Sequence, residues 1–250
     1  MPQLKGEGLV LRSYNLGEWD RLLLILVAGH GKVRAVAKGA RKVQSRFASV
    51  TQPFSHLRFT LYQGKSLYTL SQVEMVEGFR PLRENLDKIA FGLYMMELVD
   101  LSLVDGQSHD DILSLLTACL HILCHSERHE LLLAFFTLRL LSRLGFAVSV
   151  EHCMECGSEA GQKLVLAAPG FLCPTCSNRA QSQSLVTVSK EAHHLLLALS
   201  EGSWRRLETW PEPAPAEREV AVLLDRIMTH KLERTPESRA FLAELRRGTR

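Results

Sequence analysis

Lys32-Val33-Arg34-Ala35-Val36-Ala37-Lys38 is the stretch on which the fold turns. A β-strand sends successive side chains to opposite faces, so Val33, Ala35 and Ala37 share one face while Lys32, Arg34, Val36 and Lys38 share the other. One strand therefore pairs an apolar side with a largely basic one. The chain then runs on through Gly39-Ala40-Arg41-Lys42 to Arg46, a basic loop at the end of the same strand.

Four more short apolar runs lie around it, at residues 8–14, 21–27, 57–62 and 67–73. Turn formers separate them at Leu16-Gly17-Glu18, Gly29-His30-Gly31 and Gln63-Gly64-Lys65. Five strands within eighty residues, with one long basic connection over residues 39–53, predict a small closed barrel, and an SH3-like barrel is the competing topology. Residues 1–80 hold twelve Lys and Arg against five Asp and Glu, a net of +7, which leaves −4 on the remainder of a chain whose total is +3. A basic module precedes a mildly acidic body.

After Pro81 the apolar spacing becomes helical. Leu86, Ile89, Leu93, Met96 and Val99 predict one face of a helix over residues 82–103. Further helices are expected over residues 108–124, with Ser108-His109-Asp110-Asp111 at its start, and over 127–144, stopped by Gly145. Helical spacing returns at residues 189–199, 216–232 and 236–246, with the link Pro211-Glu212-Pro213-Ala214-Pro215 between the first two. The domains expected are thus a barrel at 1–80, a helical domain at 81–149 and 181–250, and an insert at 150–180. With 46% apolar and 23% charged residues, the 250-residue chain is neither disordered nor collagen-like, and its longest apolar run, residues 22–28, is too short to span a membrane. A cytosolic protein is the expectation.

The insert carries four of the six cysteines, as Cys153-Met154-Glu155-Cys156 and Cys173-Pro174-Thr175-Cys176. Each C-x2-C pair sits on a turn and presents two thiolates, and two such pairs complete one tetrahedral site with metal–sulfur bonds of about 2.3 Å. This spacing predicts one structural Zn2+ held by Cys153, Cys156, Cys173 and Cys176, with no open position for water. A rival reading takes His125-Ser126-Glu127 with the first pair as a zinc deaminase motif, but His152 stands where that motif has proline and the second pair is left without a task. Cys119 and Cys124 lie in an apolar helix and read as core residues.

The basic face makes Lys32, Arg34, Lys38, Arg41, Lys42 and Arg46 candidate DNA-binding residues, and Arg58 joins them from the strand where His56, Arg58, Thr60 and Tyr62 alternate with Leu57, Phe59 and Leu61. A solvated strand edge is the plainer reading of such charges. Against it stand the local excess of +7 and the glycines around it. Tyr62, Tyr68 and Phe47 are the aromatics considered for base stacking, so contact is expected mainly with phosphates. The basic end Arg246-Arg247-Gly248-Thr249-Arg250 reads as a solvated tail.

Taken together, Gly17-Glu18-Trp19-Asp20-Arg21-Leu22, the run from Gly29 to Arg41, Ser45-Arg46-Phe47 and Gln52-Pro53-Phe54 resemble the N-terminal barrel of the bacterial RecO family. The helical middle and the late cysteine insert follow in the same order, so the resemblance covers nearly the whole chain. It implies an α+β protein: an N-terminal OB-fold β-barrel, then an α-helical domain with an inserted four-cysteine zinc-binding segment, in the zinc-containing branch of that family. It also implies a non-catalytic mediator of DNA repair and homologous recombination in the bacterial cytoplasm, associated with the nucleoid. Such a protein binds single- and double-stranded DNA, anneals strands, and with RecR assists RecA loading onto DNA coated with single-strand-binding protein. Lys32, Arg34 and Lys38 match the family's DNA-binding strand, and Arg41, Lys42 and Arg46 match it less tightly. A zinc-ribbon nucleic-acid-binding regulator or adaptor is the alternative.

Overall fold

The computed structural model describes residues 2–180, 185–211 and 214–248. Residues 181–184, Glu212 and Pro213 of the proline-rich link, and Thr249 and Arg250 of the basic tail lie outside the described residues. The chain forms two compact units, residues 1–125 with 240–250, and residues 126–239.

The first unit opens with β1 (Gln3–Leu16), β2 (Asp20–Val27), β3 (Gly31–Ala37), β4 (His56–Gln63) and β5 (Tyr68–Glu77). They close in the order β1-β2-β3-β5-β4, with β4 returning to β1. The seam is the short parallel pairing of Ala35 with Tyr68 and Val36 with Thr69. This five-stranded closure is OB-like and decides against the SH3-like alternative. The pleat sorts the side chains as expected: Val33, Ala35 and Ala37 enter a barrel core with Val10, Ile25, Leu57, Phe59 and Leu61. At the β2–β3 turn Gly31 has φ +72°, and a Cβ there would sit 1.8 Å from the Gln107 carbonyl oxygen. Only glycine admits that approach.

The barrel is followed in this unit by α1 (Arg80–Arg83), α2 (Leu86–Ser102) and α3 (Asp110–His125). The single helix expected from residue 82 is broken at Glu84–Asn85, where the Asn85 side chain accepts the Lys88 N–H at 3.0 Å and starts a new helix. Of the expected stripe of α2, Met96 and Val99 are buried and Leu86 is exposed, and Ala90, Phe91, Tyr94, Met95 and Leu98 are buried beside it. Burial extends around most of α2, including Lys88, which donates to the Cys124 carbonyl at 3.2 Å. A helix covered on several sides has no single stripe to read.

The second unit holds α4 (His129–Arg143), then β6 (Lys163–Val165), β7 (Gly170–Leu172), α5 (Pro174–Arg179) and β8 (Leu185–Thr187), then α6 (Lys190–Glu201), α7 (Trp204–Leu207) and α8 (Ala214–Leu232). The last helix, α9 (Ser238–Gly248), is counted with the first unit from Ala240 onward. Within the second unit the Arg128 guanidinium donates to the carbonyls of Leu207, Glu208 and Trp210 and pairs with the buried Glu217. That one cation gathers the start of α4, the end of α7 and the start of α8. The small sheet runs β7-β6-β8, so the cysteine segment is completed by residues 185–187, beyond the expected end at 180.

A four-cysteine centre and a basic barrel face

The first cysteine pair is built by a tight reversal. Gly157 donates its N–H to the Cys153 carbonyl at 2.8 Å, Cys153 donates to the Ser158 carbonyl at 2.7 Å, and Gly157 takes φ +72°. The second pair straddles the start of α5, where Cys173 is the N-cap, Pro174 follows it, and the Cys176 N–H points at the Cys173 Sγ at 3.4 Å. These two turns bring all four Sγ atoms within 4.8 Å of one another.

The Cys156 and Cys173 sulfurs are 3.7 Å apart, too far for a disulfide and close to the edge of about 3.8 Å in a tetrahedron of 2.3 Å metal–sulfur bonds. The backbone N–H of Cys176 stabilises the Cys173 thiolate and brings its pKa down to about 6, while Cys176, which shares its own proton with Cys173, is pushed up to about 12. Backbone N–H groups, first that of Cys173, also lower the Cys153 thiol. Backbone N–H groups that favour the thiolate at Cys153 and Cys173 before any cation arrives suit a soft metal ion. The four residues thus form a centre able to bind a metal, with every corner taken by sulfur. The deaminase reading needs only one of these pairs and an open corner.

On the barrel, the structure separates the seven candidate cations. Lys32 is only 8% exposed, and its Nζ donates to the Asp100 carbonyl at 2.7 Å and reaches the carboxylates of Asp100 at 3.1 Å and Asp105 at 3.3 Å. Arg12 joins the same cluster through Asp100 and Glu97, at 2.7 and 2.9 Å. Sequence alternation places Lys32 on the outer face of β3 correctly, but α2 and the residues after it cover that end. Arg34 is 60% exposed with Asp105 at 3.3 Å. Lys38 and Lys42 are exposed, without an ion pair among the described residues. Arg41 is exposed and donates to the Gly17 carbonyl at 3.1 Å.

Arg46 lies over the Phe47 ring and donates to the Ser71 carbonyl at 3.0 Å, and Arg58 sits between Glu7 at 3.2 Å and Glu74 at 3.4 Å. Arg34, Lys38, Arg41 and Lys42 thus lie exposed along β3 and the loop after it, Arg34 with one carboxylate beside it, whereas Lys32 is nearly buried and Arg58 lies between two carboxylates. The aromatics are rearranged too. Phe47 packs in the barrel core, Tyr68 packs against it, and Tyr62 accepts from Gln3 at 3.1 Å. Trp19 and Tyr14, which sequence reasoning passed over, are each 49% exposed.

Two family models match the chain: Recombination protein O N terminal over residues 1–79 and Recombination protein O C terminal over residues 83–240. Among curated proteins, a "DNA repair protein RecO" of Symbiobacterium thermophilum is 39% identical over 246 residues, covering 96% of each chain. Proteins of the same name from Moorella thermoacetica and Acetivibrio thermocellus are 34% and 28% identical over 250 residues, covering 98% and 99% of this chain and 92% and 99% of their own.

Proposed function

The chain belongs to the recombination protein O family, and from that premise we propose that it acts in DNA repair as a DNA-binding, non-catalytic recombination mediator. The observation that carries the DNA-binding reading is the exposed row of Arg34, Lys38, Arg41 and Lys42 along β3 and the loop after it. Cations on a strand of an OB-like barrel track a phosphate backbone, and neutralised phosphates on two strands repel each other less, which favours annealing. The further roles are assistance, together with RecR, in loading RecA onto DNA coated with single-strand-binding protein. Lys32 belongs to this proposal as an anchor: its charge is engaged by Asp100 and Asp105 and holds the strand that presents the others. Arg46 and Arg58 stand at the margin of the DNA path.

Cys153, Cys156, Cys173 and Cys176 would hold one Zn2+. Bound there, the ion would supply four bonds to sulfur and no catalysis. The thiol environment favours that occupant, and the ribbon of β6, β7 and β8 is what it would brace.

The test is a titration of the purified protein with a single-stranded oligonucleotide across a salt series, alongside a strand-annealing assay with and without single-strand-binding protein. Lys38→Glu combined with Arg41→Glu should weaken both binding and annealing at least tenfold. Unchanged binding and annealing in that variant would remove the barrel as the site.

A further inference from the structure

The β1-β2-β3 ribbon carries two half-exposed aromatics, Tyr14 on β1 and Trp19 in the turn beside the cationic loop. Register places Tyr14 opposite Leu22, and Leu22 opposite Val36. Val33, Ala35 and Ala37 point into the barrel, so the row through Val36 lies on the outer face, and Tyr14 lies there with Arg34 and Lys38. Two strand spacings, about 10 Å, separate Tyr14 from Val36. Trp19 occupies the turn that closes β1 and β2, and its carbonyl accepts the Arg41 N–H at 2.9 Å. The same turn takes the Arg41 guanidinium on the Gly17 carbonyl, while Asp20 Oδ1 accepts the Gly39 N–H at 2.7 Å. Turn and basic loop are thus fastened together by three hydrogen bonds.

A single half-exposed indole is ordinary on a protein surface, and what distinguishes Trp19 is that its turn is hydrogen-bonded to the cationic loop. The charge beside it selects the ligand. A flat apolar ring next to fixed cations matches the alternation of base and phosphate in an unpaired strand, and the first hairpin loop and the neighbouring strands are where an OB-like barrel meets oligonucleotides. A duplex hides its base faces and would meet only the cations.

We propose that Trp19, with Tyr14 further along the same ribbon, is a base-stacking platform that makes the barrel prefer single-stranded DNA over duplex. This rests on the DNA-binding reading above and adds to it a residue and a preference. Stacking is not ionic, so Trp19 should set the level of affinity and not its salt dependence.

The experiment measures anisotropy of labelled oligothymidine and of a duplex of equal length over a salt series, with full-length wild type, Trp19→Ala, Trp19→Phe, and the Lys38→Glu/Arg41→Glu pair. Trp19→Ala should lose about tenfold or more in single-strand affinity at every salt concentration, keep the salt slope, and leave duplex affinity within twofold. Trp19→Phe should recover most of the loss. Of the three tryptophans, only Trp19 should report the strand, so fluorescence quenching by oligothymidine should be present in wild type and lost in Trp19→Phe. Unchanged single-strand affinity in Trp19→Ala, or an equal loss on duplex, overturns the platform. If the charge-reversed pair binds weakly while Trp19→Ala binds normally, the platform alone fails. If neither variant loses affinity, the DNA-binding reading of the barrel fails with it.

Discussion

Lys32 and Arg34 are two residues apart on one strand face, yet their surroundings give them different tasks. The Lys32 ammonium is nearly sheathed and touches two carboxylates, so removing it leaves the largely buried Asp100 short of a partner. Lys32→Met should cost about 2–3 kcal/mol, visible as a fall of roughly 4–10 °C in Tm. Arg34→Ala should stay within about 0.5 kcal/mol of wild type, since its pair with Asp105 is open to water, and should weaken DNA binding instead. Equal thermal losses would contradict this division. His56 supplies a second residue-level expectation. Desolvation by burial lowers its imidazole below the ordinary 6.5, despite Glu7 at 3.3 Å. The unfolded chain therefore binds a proton that the native state resists, so stability is kept above about pH 6.5 and falls as pH drops below it. Melts between pH 7 and pH 5 should show a smaller fall for His56→Gln than for wild type.

At the scale of elements, β3 and the cysteine turns were legible because their signals are local. Period-two alternation fixes which face of a strand is buried, and C-x2-C spacing fixes two turns. The ion pairs of Lys32 with Asp100 and Asp105 join residues some seventy positions apart, and nothing in the text around either partner announces them. Trp19 was missed for the opposite reason, because a large aromatic is expected to be buried and this one is not. The short strands β6, β7 and β8 carry too few residues for any period to show. With a metal bound as proposed, its removal by a chelator, or Cys176→Ser, should abolish amide protection across residues 149–180 and 185–187 while the barrel strands keep theirs, as read by hydrogen exchange. Gly157→Ala, forced into φ +72° in open space, should cost about 1–2 kcal/mol and reduce metal occupancy without clashing with anything.

For the molecule as a whole, the near-neutral +3 conceals a basic first third, and the useful count is smaller still. Four of the seven candidate cations, Arg34, Lys38, Arg41 and Lys42, make up the proposed row on β3 and its loop, which predicts a log–log salt slope of about −3 on single strands. A slope near −5 would return Lys32, Arg46 and Arg58 to the binding face. The barrel's closure carries a different consequence, in time. β1 pairs on one edge with β2, its neighbour in sequence, but on the other with β4, Leu9 meeting His56 and Gln3 meeting Tyr62. On a ribosome adding about 5–20 residues per second, that second edge waits roughly 3–10 s for its partner to be made. During that interval the nascent strand offers unpaired amides to any other chain emerging nearby. Lys5 and Glu7, with Gly6 and Gly8 between and beside them, fill the waiting edge with charge and with residues poor at pairing.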